Sequence, residues 1–417
     1  MLTLRLAALA QDRLEGRPGE GRTTAVMGKS WQTRLIHPGV KAPAGYNSLA
    51  VPVYRGSTTL FSSASAVTDA WDQERAGYTY GLYGTPTSLE LAARLCELEG
   101  GRQTILTPGG QSAISLIDFA LLRAGDHVLV PLSAYRPNRQ LTTSLLAHFG
   151  VEATFYDPLA GAAIADLIQA NTRLVWTESP GSVTMEVQDV PAIAAAAHAR
   201  DIIVALDNTW SAGVLFDAFA HGVDVTMQAL TKYVGGHSDL LLGSITVRDD
   251  GLYRRLGAAR QVIGCAVSPD ECSLALRGLQ TLAVRLSALE TSALEVARWL
   301  AGRPEVERVL HPALPTCPGH EFWKRDFAGS SGVFSIVLAP GPSRERVCAF
   351  VDALQLFEIG YSWGGTTSLA VAYTMATVPN RPRYDHRLVR LSIGLESTDD
   401  LIADLEAALP MLRGRYS

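Results

Sequence analysis

The chain has 417 residues, 47% of them hydrophobic and 18% charged. That is too long for one ordinary core and apolar enough to bury a large one, so a large domain with a smaller companion is expected and a disordered chain is not. The formal net charge of −5 is mild, and it argues against nucleic-acid or membrane-surface partners, which select basic clusters.

The five cysteines (Cys96, Cys265, Cys272, Cys317 and Cys348) are scattered and form no CxxC pair. Neither a disulfide framework nor a zinc site is expected, and a reducing cytoplasm fits. The nine histidines show no HExxH or HxxxH spacing, which leaves a metal site without support.

The opening MLTLRLAALAQDRLEGRPGEG carries a short apolar stretch broken by Arg5, unlike a secretory signal. It reads as a flexible extension. No run of about 18 apolar residues follows, so no membrane span is expected. Residues 30–80 are rich in Gly, Ser, Thr and Pro. Together with the extension they make a segment over 1–80 that takes its structure by packing on something else, such as a partner subunit.

From about residue 100, strand-like runs alternate with helical ones. The strand candidates are DHVLVP (126–131), ATFYD (153–157), RLVWTES (173–179), IIVALDN (202–208) and VDVTMQAL (223–230). Short apolar runs rich in Val and Ile suit a sheet covered on both faces. The helix candidates between them are PNRQLTTSLLAHFG, AAIADLIQAN and VPAIAAAAHAR. This alternation predicts an α/β domain with a mostly parallel sheet over 81–278. A long helix from Pro269 to Gly302 then leads into a smaller α+β domain over 279–417. That domain has strands near GVFSIVLA and RLVRLSIGL and helices near SRERVCAFVDAL and DDLIADLEAALPML.

The chemistry concentrates between Asp207 and Ile245. Asp207 ends one apolar strand, and Lys232 follows just past the next, so both reach the same sheet edge, where ligands of parallel sheets bind. Either residue alone would read as a solvated strand end. Together they are the pair that pyridoxal phosphate requires: an amine for the aldehyde and an acid against the pyridine nitrogen.

At this point the sequence resembles the Cys/Met-metabolism pyridoxal-phosphate enzymes: the cystathionine β- and γ-lyases, cystathionine γ-synthase and methionine γ-lyase. The resemblance runs from about residue 30 to the C-terminus. It implies the fold-type I architecture and pyridoxal 5′-phosphate as cofactor. Through Thr231-Lys232-Tyr233 it makes Lys232 the Schiff-base lysine and Thr231 a phosphate ligand; through DNTW it sets Asp207 against the pyridine nitrogen. In TPGGQSAI (107–114), Gly110 and Gln111 would present backbone N–H groups to the phosphate, at a helix start placed ahead of the first sheet strand. Tyr135, in PLSAYRPNRQ, would stack on the ring and take part in proton transfer.

YGLYGTPT (80–87) matches a family segment in which a tyrosine and an arginine reach the phosphate of a neighbouring subunit. Tyr80 takes the tyrosine position, and Leu82 stands where the arginine is expected. A leucine donates nothing, so Arg75 or backbone and hydroxyl groups would replace that contact. Arg390 matches the arginine that pairs with the substrate α-carboxylate. Ser362 would help orient that carboxylate and Trp363 would line the pocket. Glu178-Ser179-Pro180-Gly181 is read as a loop bordering the cofactor, with no assigned chemistry.

The Ser362-Trp363-Gly364-Gly365 stretch is most similar to that of the β-lyases. The expected reaction is therefore β-elimination of L-cystathionine to homocysteine, pyruvate and ammonia. A γ-lyase, a γ-synthase or a sulfhydrylase would use the same Lys232, Asp207 and Arg390, and Thr366-Thr367 departs from the family pattern at the substrate pocket. A non-catalytic regulatory relative is the reading from another class; the joint presence of Lys232, Asp207, Tyr135 and Arg390 argues against it. A nicotinamide enzyme is disfavoured, since no GxGxxG follows a strand. By resemblance the assembly is a homotetramer, a dimer of dimers.

Overall fold

The computed structural model describes residues 29–37, 48–373 and 384–413. The extension read over residues 1–28 and residues 38–47 of the arm lie outside the described residues. The chain divides into one unit up to Val51 and another from Pro52 onward. In the first, Trp31–Ile36 forms a short helix. The second carries two sheets.

The larger sheet holds β1 (Gln103–Thr107), β2 (His127–Pro131), β3 (Glu152–Tyr156), β4 (Thr172–Glu178), β5 (Ile203–Asp207), β6 (Val225–Ala229) and β7 (Gly243–Val247). Its order is β1-β7-β6-β5-β4-β2-β3. Strands β2 to β6 run parallel, and β7 runs antiparallel to both of its neighbours. Leu174, Val175, Val204, Leu206, Val225 and Met227 are fully buried, as the apolar runs require of a sheet covered on both faces.

Strands β1 and β7 differ from the expected pattern, because their interior is partly polar. The Thr104 and Thr246 hydroxyls pair at 2.8 Å. Buried Glu99 accepts the Thr226 hydroxyl at 2.9 Å and the Thr246 hydroxyl at 3.0 Å. These threonines satisfy one another across the sheet, so neither strand shows an apolar run. The TPGGQSAI turn therefore follows a strand, β1, and does not precede the first one.

Antiparallel β7 has a functional consequence. The β6–β7 connection stays at the carboxyl edge of β6, and β1 ends at the same edge, with Thr107 opposite Gly243. The ends of β1, β2, β4, β5 and β6 therefore converge there with the loop that carries Lys232.

Two helix candidates take tighter or wider turns. Gly161–Leu167 is 3-10, and Arg136–Leu141 continues into a π-helical turn over Thr142–Leu146. There the Thr143 and Ser144 hydroxyls donate back to the Arg139 and Gln140 carbonyls, competing with the α-helical ladder.

The helix Pro269–Ala301 spans 33 residues, with proline in its first turn and the Ser268 side chain accepting the Asp270 N–H. Residue 279, the expected start of the C-terminal domain, lies within this continuous helix. Its last turns bury Val296, Ala297 and Leu300 against Phe334, Ile336, Val389 and Leu391. Those four belong to the smaller sheet, in the order β10-β11-β12-β9-β8. Its strands are β8 (Val306–Leu310), β9 (Val333–Leu338), β10 (Glu358–Ile359), β11 (Leu369–Ala372) and β12 (Leu388–Ser392). Only β9 and β12 were readable as apolar runs. On β12, Arg390 sits between Ser335 and Val371. Among the described residues no helix is long and apolar enough to cross a membrane, and no group of three or more His, Cys, Asp or Glu could hold a metal ion.

Candidate active site

Lys232 lies in a tight loop. Its N–H donates to the Ala229 carbonyl at 3.1 Å, and its carbonyl accepts the Gly236 N–H at 2.8 Å. Arg285, buried on the long helix, donates to the carbonyls of Tyr233 and Gly278 at 2.7 Å each and holds the loop from the opposite side. Gly236 has φ +71, and a Cβ there would meet the Arg285 guanidinium at 2.1 Å. Only glycine satisfies both demands.

The Lys232 Nζ donates to Ser362 Oγ at 2.7 Å and lies 5.7 Å from the Trp363 ring centroid. Burial, and secondly the charge of Arg390, brings its pKa down to about 8, with Asp207 acting in the opposite direction. The free amine is therefore accessible near neutral pH.

Asp207 ends β5, where its Oδ1 accepts the Thr209 N–H at 3.0 Å and the Thr209 hydroxyl at 2.5 Å. Thr209 Oγ1 also accepts the Ala229 N–H at 2.9 Å, linking the carboxylate to the end of β6. Burial holds the Asp207 carboxyl above the usual carboxylate range, against the Thr209 hydrogen bonds and the Lys232 charge. Glu178 is its register partner on β4. Tyr135 follows β2 and is 44% exposed. Burial, Asp207 and Glu178 push its phenol up, while Arg390 pulls it down.

The helix Gly110–Leu121 starts beside this cluster, and no side chain caps it. A Cβ on Gly110 would sit 2.6 Å from the Ala229 Cβ, so glycine is what lets the helix start approach β6. Thr231 Oγ1 accepts the Leu242 N–H at 3.3 Å, and the adjacent Gly243 packs on Gly109 and Thr107. The Gln111 Oε1 is buried with no hydrogen-bond partner. An uncapped helix start beside a threonine hydroxyl suits a dianion.

On the other side lies Arg390, 8% exposed, with no carboxylate of the described residues among the groups that act on its charge. It donates to the Ser362 carbonyl at 3.0 Å. Tyr373, Tyr361 and Tyr135 surround it electrostatically. Ser362 has φ +80, a conformation costly for a non-glycine residue by about 1–3 kcal/mol. Trp363 tilts on Tyr233 at 5.1 Å. Thr366 and Thr367 are exposed.

The structure thus gathers Lys232, Asp207, Tyr135, Gly110, Gln111, Thr231, Arg390, Ser362 and Trp363 around one sheet edge. Tyr80 is not among them. It is 45% exposed, bridges to Thr58 and packs edge-on with Tyr83. The Leu82 and Tyr83 carbonyls are held by buried Arg260 at 3.0 and 3.2 Å. Arg75 is engaged by Asp72 and Asp250.

Three contributors had no role assigned from the sequence, and Glu178, read as part of a loop bordering the cofactor, is the last residue of β4. Thr209, two residues after Asp207, had a local signal in the Asx-turn spacing. Glu178 and Arg285 had none, because their partners lie 43 and 52 residues away.

These residues fit pyridoxal phosphate. A lysine of lowered basicity, a buried carboxylate, an aromatic side chain and an uncapped helix start lie along one edge, and an arginine with no carboxylate partner among the described residues faces them.

A family profile described as "Cys/Met metabolism PLP-dependent enzyme" matches residues 32–410. The chain is 43% identical over 387 residues to cystathionine beta-lyase MetC of Escherichia coli, covering 91% of this chain and 98% of that one. It is 42% identical over 391 residues to a cystathionine beta-lyase of Bordetella avium, covering 91% and 98%. Its fold matches the crystal structure of a cystathionine gamma synthase from Xanthomonas oryzae pv. oryzae with a TM-score of 0.85. The identity there is 30%, and the match covers 92% of this chain and 98% of that one.

Proposed function

The chain belongs to the Cys/Met-metabolism PLP-dependent enzymes, and on that footing we propose that it is a carbon–sulfur lyase acting on L-cystathionine. Pyridoxal 5′-phosphate is its cofactor and a small amino acid its substrate. The reaction takes L-cystathionine and water to homocysteine, pyruvate and ammonia. The names of the relatives at 42–43% identity support this substrate.

The observation that carries the reading is the convergence of Lys232 and Arg390 on one residue, Ser362, whose side chain takes the first and whose carbonyl takes the second. In this reading Lys232 holds the cofactor covalently. Asp207 pairs with the ring nitrogen, Tyr135 covers the ring face, and Gly110, Gln111 and Thr231 hold the phosphate. Bound there, the cofactor supplies a conjugated ring that accepts the electron pair left when the substrate Cα–H bond breaks.

Arg390 holds the substrate α-carboxylate by a two-point contact, which fixes the Cα–H bond relative to Lys232. Lys232 would accept the Cα proton at Nζ. The same ammonium then delivers a proton to the departing sulfur, so homocysteine leaves as the thiol. Asp207, as a carboxylate, balances the positive charge at the ring nitrogen. Trp363 and Tyr233 keep water from the Lys232 side.

Tyr80 completes the phosphate site of a second copy in this reading, within a cytoplasmic homotetramer. Leu60, 90% exposed, Val67, 64%, and Val262, 87%, support a covered surface around the arm. Five free cysteines support a reducing compartment.

Lys232→Ala tests the assignment. It should abolish turnover and the absorbance of covalently held cofactor while the far-ultraviolet circular dichroism stays unchanged. Retained turnover would remove Lys232 from the chemistry.

A further inference from the structure

The mechanism leaves one buried group at the site without a task. Glu178 stands at the end of β4 beside Asp207 at the end of β5, in register. It is 8% exposed, and no lysine or arginine of the described residues is among the groups that act most strongly on its carboxyl. Two adjacent buried carboxyls repel each other if both are ionised.

Its hydrogen bonds are directional. Oε2 accepts the Tyr135 N–H at 2.6 Å, and Oε1 accepts the Ser182 hydroxyl at 2.5 Å. Its own N–H donates to Gln188 Oε1 at 2.9 Å, which fixes the strand end. Tyr135 is the residue that precedes the helix Arg136–Leu141, so this contact sets where its ring projects. The charged and titratable groups that face Glu178 are Asp207 from β5, and Tyr135 and Arg139 from the segment after β2. Beyond them lie Lys232 and Arg390, which face Asp207 and Tyr135.

We propose that Glu178 is a positioning residue: by accepting the Tyr135 N–H at the end of β4 it fixes where the Tyr135 ring stands beside Asp207. Burial, and then the Asp207 charge, pushes the Glu178 carboxyl up to about 8. The inference rests on the assignment of Tyr135 and Asp207 to the cofactor ring.

The test compares full-length wild-type, Glu178→Gln and Glu178→Ala proteins carrying pyridoxal phosphate. It follows the absorbance and circular dichroism of the bound cofactor, and kcat and KM for L-cystathionine. Glu178→Ala should lower kcat about tenfold, with KM changed less than about threefold and the cofactor dichroism altered. Glu178→Gln keeps a neutral acceptor for the Tyr135 N–H and should restore kcat to within about threefold.

Wild-type kinetics and spectra in Glu178→Ala, or no recovery of kcat in Glu178→Gln, would overturn the inference alone. A wild-type protein that takes up no pyridoxal phosphate would overturn the functional reading and this inference with it.

Discussion

The Nζ of Lys232 donates to the hydroxyl of Ser362 at 2.7 Å, joining positions 130 residues apart. The same Ser362 presents its carbonyl to Arg390 at 3.0 Å. One residue of the smaller sheet's loop therefore registers the amine at the large sheet's edge against the arginine that faces the substrate. Its left-handed backbone is what turns the hydroxyl one way and the carbonyl the other.

Substitutions at Ser362 separate strain from chemistry. Ser362→Ala and Ser362→Gly both remove the hydroxyl and should lower kcat about tenfold. Glycine relieves the φ of +80, so Ser362→Gly should melt above Ser362→Ala. Thermal melts of the two variants at matched concentration check the second point.

Arg390 acts on Lys232 as well as on substrate. It is the second cause of the lowered Lys232 pKa. Removing a like charge makes protonation easier, so Arg390→Met should raise that pKa. Attachment of pyridoxal phosphate to the apoprotein requires the free amine, and its pH midpoint should move upward. Arg390→Lys keeps the charge and should leave the midpoint in place. It should still raise KM for L-cystathionine about tenfold to a hundredfold, because lysine lacks the two-point contact.

The fold was readable where burial is apolar. Strands β2, β4, β5 and β6 advertise themselves through short runs rich in Val, Ile and Leu, β3 through the aromatic pair Phe155-Tyr156, and the long helix through its proline-and-acid start. Strands β1 and β7 hide because Thr104, Thr226 and Thr246 satisfy one another and Glu99 inside the sheet. The site divides the same way. Asp207 and Lys232 each follow an apolar strand and were readable as a pair. Glu178 looked like a loop carboxylate because its partner, the Tyr135 N–H, comes from another strand end. Arg285 looked like one more helix arginine, since nothing local marks a side chain aimed at distant carbonyls.

Asp118 offers a stability test away from the site. It is fully buried, its Oδ1 accepts the Trp176 indole N–H at 2.8 Å, and its Oδ2 has no partner. Burial pushes its carboxyl up to about 7. The unfolded carboxyl titrates near about 3.9, so between those values the folded state binds the extra proton. Stability is therefore highest below the unfolded pKa and falls as pH rises through about 7. Asp118→Asn keeps the indole acceptor and carries no charge. It should flatten this slope and raise Tm at alkaline pH by about 1–3 °C. A Tm–pH profile parallel to wild type would refute the assignment.

The central claim is β-elimination of L-cystathionine at Lys232, and product analysis of purified protein with that substrate tests it most directly. The account predicts pyruvate and homocysteine in equal amounts, with release abolished in Lys232→Ala. Dominant 2-oxobutyrate with cysteine would contradict it in favour of γ-elimination, and neither pair of products would contradict the assignment of L-cystathionine as substrate.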